Sequence, residues 1–167
     1  MVKVLITGSN GLLGQSLIDL FLKSKESYSI FGLSRGKNRS GRNDFNYLSV
    51  DITNKEALQE KIFKINPDFI INTAAMTQVD ACENDKLACD LLNVEVVKWL
   101  SVFCEKTSTH LIHISTDFIF DGKKGNYKET DPLLPYNNYS WSKLGGESAV
   151  QMYKNSLIIR ICMTEKP

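Results

Sequence analysis

Short apolar runs alternate with amphipathic stretches along the chain, a pattern that predicts strands separated by helices. Val2 to Thr7 reads as a first strand. It leads directly into Gly8-Ser9-Asn10-Gly11-Leu12-Leu13-Gly14, beyond which Leu13, Leu17, Leu20 and Phe21 recur at helical spacing. Ser29 to Leu33 predicts a second strand ending at Ser34-Arg35, and Tyr47 to Val50 a third ending at Asp51-Ile52. A helix then opens at Thr53-Asn54-Lys55-Glu56 and runs to about Ile65, with Thr53 or Asn54 as its N-cap. Phe69 to Asn72 is a continuous apolar run, as expected of a strand buried on both faces, and it ends in Thr73-Ala74-Ala75-Met76-Thr77.

A long helix is expected over about Glu83–Lys106, with Leu87, Leu91, Val94 and Leu100 as its core stripe. Asn93 interrupts these apolar neighbours, either as a satisfied helix asparagine or as support for a site. His110 to Ile114 predicts a fifth strand closed by Ser115-Thr116-Asp117. A glycine- and proline-bearing loop follows, then a helix from Tyr139 to about Lys154 and a sixth strand over Leu157–Ile161. Strands alternating with helices specify an α/β protein. The expected architecture is a Rossmann-like, doubly wound parallel sheet of order 3-2-1-4-5-6 with helices on both faces. Its ligand would lie across the carboxyl ends of the strands, where the chain switches from the first to the fourth.

Composition narrows the function classes. The chain has 167 residues, 43% hydrophobic and 23% charged, which fits one globular domain. A formal net charge of +1 provides no broad field for nucleic acid or an anionic membrane. No apolar run approaches the roughly 20 residues that cross a bilayer, and the N-terminus lacks signal-peptide architecture, so a cytoplasmic protein is expected. Cys82, Cys89, Cys104 and Cys162 have neither Cys-x-x-Cys spacing nor a nearby histidine ladder. They read as reduced, mostly buried thiols, with no zinc site and no redox pair. His110 and His113, three apart on a strand, point to opposite faces and cannot share a metal, so both read as structural.

Three stretches carry candidate chemistry. Strand, glycine turn and helix together present free backbone N–H groups and a positive helix end to a pyrophosphate, although a glycine turn without a ligand has the same spacing. Gly8 would allow the tight turn, Gly11 the approach of a ligand, and Gly14 close helix–strand packing. At the end of the second strand an acidic residue would bind a ribose 2′-hydroxyl; Ser34 and Arg35 offer a hydroxyl and a guanidinium instead. That favours NADP(H), with NAD(H) as the alternative, unless Arg35 is merely solvated in a basic loop (Arg35 to Arg42) expected to be mobile without cofactor. Asp51 could accept from an adenine amino group while Ile52 packs on the ring, or Asp51 could be a turn aspartate. The small Ala74 and Ala75 leave room for a flat cofactor.

The third stretch is Tyr139-Ser140-Trp141-Ser142-Lys143, which puts a phenol and an ammonium on one helix face, one turn apart. A lysine so placed would pull a tyrosine pKa down from about 10 and make the phenol a proton donor or acceptor. An unremarkable surface pair has the same spacing. Thr116 reads from spacing as a strand-end cap, and Glu147 as a partner in an ion pair on the helix rather than as an acid catalyst.

In combination these segments resemble the extended short-chain dehydrogenase/reductases, most nearly the dTDP-4-dehydrorhamnose reductase group. Thr7 to Gly14 is similar to that group's phosphate loop, Asn72 to Asp80 with Glu83 to its Asn-Ala-Ala-x-Thr-x-Val-Asp stretch, and Ser115 to Gly122 to its Ser-Thr-Asp-Tyr-Val-Phe-x-Gly segment. Tyr127, Glu129, Asp131 and Pro135 to Glu147 resemble the approach to its catalytic helix. Met76 departs from the usual tyrosine or histidine near the nicotinamide, and Ser140 from the usual glycine. The resemblance implies a nucleotide-linked deoxysugar as substrate, reduced by hydride from NADP(H) and a proton from Tyr139. It assigns Lys143 to tuning that tyrosine and Thr116 to the substrate oxygen, with Thr77 and Asp117 also on the substrate side. Gly8, Asn10, Gly11, Leu12, Leu13, Gly14, Ser34, Arg35, Asp51, Ile52, Ala74, Ala75, Met76, Tyr139 and Lys143 would face the cofactor.

The resemblance also implies a C-terminal substrate-binding region beyond Pro167, so residues 1–167 read as the cofactor-binding, N-terminal part of a longer protein, the alternative being a short natural form. It implies pairing of two copies through helices near 83–106 and 139–154. Two other readings stay open. One is an NADP-binding docking subunit similar to the beta subunit of methionine adenosyltransferase; the other is an extended-family epimerase or dehydratase.

Overall fold

Period-two alternation of apolar residues on the central strands requires cover on both faces of a sheet, and helices supply it. The computed structural model describes residues 1–162. The strands are β1 (Val2–Thr7), β2 (Tyr28–Ser34), β3 (Asn46–Ser49), β4 (Phe69–Asn72), β5 (His110–Thr116) and β6 (Ser156–Ile161). All pair in parallel in the order β3-β2-β1-β4-β5-β6, as the sequence predicts. The helices are α1 (Leu12–Leu22), α2 (Lys55–Ile65), α3 (Val79–Asn84), α4 (Lys86–Asp90), α5 (Val96–Thr107) and α6 (Asn138–Gln151). Among the described residues no helix is long and apolar enough to cross a membrane.

Leu5, Ile70 and Leu111 face one side of the sheet, where they join Leu58 and Ile62 of α2 and Leu100 and Phe103 of α5. Their strand neighbours Val4, Ile6 and Ile71 face the other side with Ile18 of α1. Burying each such side chain contributes roughly 1.5–3 kcal/mol, which fixes the strand register. Asn54, not Thr53, caps α2, accepting from the Ala57 N–H at 2.9 Å. In α1 the buried positions are Gly14 and Ile18, whereas Leu20 of the expected stripe is 58% exposed.

The helix expected over Glu83–Lys106 is broken. Asp85 ends α3 with a non-helical backbone and its side chain caps α4 by accepting from the Ala88 N–H at 3.0 Å. A π-helical segment, Leu91–Glu95, then joins α4 to α5. This change of winding rotates the apolar face: Leu87 is 84% exposed, while Cys89, Asn93, Val96 and Val97 are buried. α6 crosses that segment at Gly146, where a Cβ would meet the Asn93 carbonyl oxygen at 2.5 Å. The same break brings Cys82 and Cys89 to a Cα–Cα distance of 5.1 Å, and they form a disulfide. The expectation of reduced thiols is therefore corrected for this pair. Its seven-residue spacing carries no motif, and only the turn at Asp85 brings the cysteines together. Cys104 is a free, buried thiol whose pKa burial pushes up to about 12.

Two measurements test this packing. Gly146→Ala should destabilise the protein by about 1–3 kcal/mol in chemical denaturation, because the Asn93 backbone has little room to give. Alkylation under denaturing, non-reducing conditions should modify Cys104 and Cys162 only, with Cys82 and Cys89 becoming reactive after reduction.

Candidate active site

The carboxyl ends of β1, β4 and β5 are stitched together by side chains. The Thr7 hydroxyl donates to Asn72 Oδ1 at 2.5 Å, and Asn72 Nδ2 lies 3.0 Å from His113 Nδ1. Because the amide nitrogen can only donate, Nδ1 accepts and the ring proton sits on Nε2. Burial first, then the charge of Lys143, holds the His113 pKa well below its usual value, so the ring is neutral. His113 is thus structural, as its strand position suggests. The Thr73 hydroxyl donates to the Thr7 carbonyl at 2.6 Å and ties the loop after β4 to β1.

Above this ladder the chain turns at Gly8, whose φ of +70° is left-handed and whose missing Cβ would lie 2.8 Å from the Ala74 nitrogen. A Cβ on Gly14 would lie 2.8 Å from Ser9 Cα, so α1 starts hard against the turn. Gly11 precedes α1 without any side-chain cap, leaving the first N–H groups of the helix free for an anion.

α6 supplies the candidate acid–base pair. Asn137 and Ser140 form a reciprocal capping box that fixes the start of this helix. Ser140 thereby has a defined role as the second member of the capping box. Tyr139 and Lys143 follow on the inward face, 9% and 3% exposed. The expected fall in the Tyr139 pKa is not what the structure supports. Burial raises it, the Thr116 hydroxyl partly offsets this, and Asp117 raises it further. Lys143 does not offset this: its ammonium donates to the Ile114 carbonyl at 2.6 Å, and its own burial lowers its pKa to about 8. Phe118 meets the Tyr139 ring edge-on at 6.1 Å. Glu147 does form an ion pair, but with β6: Arg160 Nε and Nη2 reach its carboxylate at 3.0 and 2.8 Å. Helix spacing alone offered Lys143; the strand supplied a planar, bidentate partner instead.

Asn93, at the π-helical segment, clasps the loop after β4. Its Oδ1 accepts from the Met76 N–H at 2.8 Å, and its Nδ2 donates to the Met76 carbonyl at 3.0 Å and the Ser142 hydroxyl at 2.9 Å. Its side chain is therefore fully used and joins the loop to α6. The Met76 side chain packs with Cys82, Cys89 and Tyr139.

At the end of β2, Ser34 Oγ accepts from the Asn10 N–H at 3.0 Å, and Arg35 lies 3.8 Å from Asp51 in an exposed ion pair. Asp51 Oδ1 also accepts from the Thr53 N–H and hydroxyl, and this turn chiefly lowers its pKa. Ile52 is 7% exposed and belongs to the core, so only a small part of its surface faces outward. The loop from Arg35 is held at several points: Asn10 and Tyr47 bond its backbone, and Arg42 pairs with Asp19 and Asp44.

A cavity of about 410 Å³ gathers Gly11, Leu12, Leu13 and Gly14 with Ala75, Thr77, Thr116, Asp117, Tyr139 and Lys143. These are the predicted residues that tertiary structure unites. Gly8 and Ala74 lie beneath as packing, Asn10, Ser34, Arg35 and Asp51 stand off at the β2 end, and Ile52 and Met76 are outside the lining. Thr73, Phe118 and Ile161 line the cavity unforeseen. Only the parallel pairing of β5 with β6, which sets Thr116 opposite Ile161, could have indicated the last. Among the described residues no cluster of His, Cys, Asp or Glu could hold a metal ion.

Comparison with known proteins adds family to geometry. The family model described as the RmlD substrate binding domain matches residues 2–164. The dTDP-4-dehydrorhamnose reductase of Aggregatibacter actinomycetemcomitans is 36% identical over 166 residues, covering 98% of this chain and 52% of that protein. A crystal structure of dTDP-4-dehydrorhamnose reductase from Bacillus anthracis in complex with NADP has a TM-score of 0.82 and 30% identity, covering 96% of this chain and 53% of that one. A hypothetical dTDP-4-dehydrorhamnose reductase from Sulfolobus tokodaii gives 0.81 and 38%, covering 95% and 55%. The chain spans about half the length of the curated relatives it matches.

The buried ammonium makes a stability prediction. Lys143 titrates near 8 when folded against 10.5 when unfolded, so below pH 8 it is charged in both states and its burial is fully unfavourable. That cost fades as pH rises from about 8 to 10.5. Lys143→Met should therefore stabilise the fold at pH 7, by up to roughly 3 kcal/mol, with the gain shrinking through that window in pH-dependent denaturation.

Proposed function

The chain belongs to the RmlD substrate-binding family, and we propose that it serves the NADP(H)-dependent reduction of the keto group of a nucleotide-linked deoxysugar. The observation that carries this reading is the single cavity shared by the uncapped start of α1, Thr116, Tyr139 and Lys143. The names of the relatives, dTDP-4-dehydrorhamnose reductases, and the NADP held by the Bacillus anthracis protein support the substrate class and the cofactor.

The residues present fit a dinucleotide. The N–H groups after Gly11 have no side-chain cap and no acidic residue in the first turn of α1, which suits a pyrophosphate. Arg35, 77% exposed at the β2 end, suits a 2′-phosphate. Bound NADPH would supply the hydride for the sugar's carbonyl carbon.

Every other part of the reaction falls to this chain's own side chains. Thr116, 6% exposed at the end of β5, orients the carbonyl oxygen. Tyr139 gives its proton to that oxygen as negative charge develops there. Its raised pKa keeps the phenol protonated at neutral pH, so the donor is loaded before each turnover. Lys143 stands one helical turn away, with its pKa near 8, and reaches the ribose hydroxyls. Phe118 and Ile161 exclude water from the phenol side of the cavity.

In the full-length protein, Tyr139→Phe should lower turnover of a dTDP-4-keto-6-deoxysugar by about 10²–10⁴-fold while NADPH affinity changes little. A steady-state assay beside a fluorescence titration separates the two effects. If the unsubstituted protein binds NADPH, reduces no keto sugar and copurifies with a stable protein partner, a docking subunit replaces the reductase.

A further inference from the structure

Asn10 occupies a phosphate-loop position, yet its side chain turns away from the cavity. Its Nδ2 donates to the Lys37 carbonyl and the Tyr47 hydroxyl, both at 3.0 Å, and to the Arg35 carbonyl at 3.3 Å. Its Oδ1 accepts from the Arg39 N–H at 2.9 Å. The Asn10 N–H meets Ser34 Oγ, and its carbonyl accepts from Gln15 Nε2 at 2.9 Å. One residue thus knots the turn before α1 to the whole span from Ser34 to Arg39. Tyr47 of β3 completes the knot, since its hydroxyl donates to the Gly36 carbonyl at 2.7 Å and also lies 3.3 Å from the Ser34 carbonyl.

The span so fixed is cationic. Arg35, Lys37 and Arg39 are exposed on it, and among the described residues no carboxylate pairs with Lys37 or Arg39. Arg42, just beyond, is different: it is spent on Asp19 and Asp44. A flexible loop would have to be ordered around an anion at an entropic cost. A loop already tied by Asn10 presents its cations without that cost.

We propose that Asn10 is a positioning residue for cofactor choice: by bonding the backbone at Arg35, Lys37 and Arg39 it holds that loop as a preformed cradle for the 2′-phosphate of NADP(H). The proposal rests on the cofactor assignment above and deepens it. The Asn10 side chain bonds the loop and does not line the cavity, so its loss should weaken NADPH binding and spare NADH. A merely structural role for Asn10 would lower both affinities together.

The test is fluorescence titration of the full-length protein with NADPH and with NADH, for the parent, Asn10→Ala and Tyr47→Phe. The parent should prefer NADPH. Asn10→Ala should weaken NADPH by about tenfold with NADH changed less than about twofold, and Tyr47→Phe should shift the ratio the same way by a smaller factor. Tyr47→Phe lies outside the phosphate loop, so it decides the matter should Asn10→Ala fail to fold. Equal losses for both cofactors, or an unchanged ratio in the variants of a parent that prefers NADPH, overturn the role of Asn10 alone. A parent that binds NADH as tightly as NADPH overturns the cofactor assignment itself.

Discussion

The close approach of β1 and β4 at their carboxyl ends is the constraint on which the rest of the site depends. There is no space for a side chain between Gly8 and Ala74, and the turn at Gly8 needs a left-handed backbone that other residues adopt only under strain. Bonds from Thr7 to Asn72 and from Thr73 to Thr7 hold the two strand ends at that distance. From this junction α1 departs with its N–H groups exposed, and the loop after β4 departs toward α6. A shift of either strand end would move the uncapped end of α1 away from Tyr139 and Lys143. The start of α1 and the Tyr139–Lys143 pair line one cavity because this junction sets the positions of both.

Burial, more than proximity of charges, sets the protonation states around that junction. Lys143 and Tyr139 are each pushed by desolvation toward their neutral forms, and His113 is held neutral between Asn72 and Lys143. Glu147, fully buried, keeps a bidentate guanidinium partner in Arg160. Removing either member would leave a buried charge unpaired, which typically costs 3–5 kcal/mol, whereas the intact pair contributes far less. The site therefore combines a protonated phenol, a readily discharged ammonium and a neutral imidazole.

A second layer of residues holds the walls without forming them. Asn93 clasps Met76 from the π-helical segment, Asn10 clasps the loop after β2, and the Asn137–Ser140 box fixes the start of α6. Each uses a side-chain amide or hydroxyl to bind backbone, Asn93 and Asn10 across 17 and 29 residues and the Asn137–Ser140 box within one turn. Each also sits where regular structure is interrupted, so that free backbone groups are available to be bound.

Much of this was legible in the sequence. Apolar runs of strand length, the glycine spacing at 8, 11 and 14, and the Tyr139–Lys143 interval are local, and local periodicity determines element type, strand order and the residues at strand ends. Thr116 and the start of α1 belong together on that basis alone, because every parallel strand delivers its carboxyl end to the same edge. What only the tertiary structure decided depends on contacts between distant segments. The break at Asp85 and the π-helical turn chose which face of the 83–106 stretch is buried, and thereby joined Cys82 to Cys89 and turned Asn93 inward. Arg160 rather than Lys143 became the partner of Glu147, and burial reversed the expected direction of the Tyr139 pKa. Propensity and spacing are properties of neighbours along the chain, whereas desolvation and long-range pairing exist only once the segments have packed.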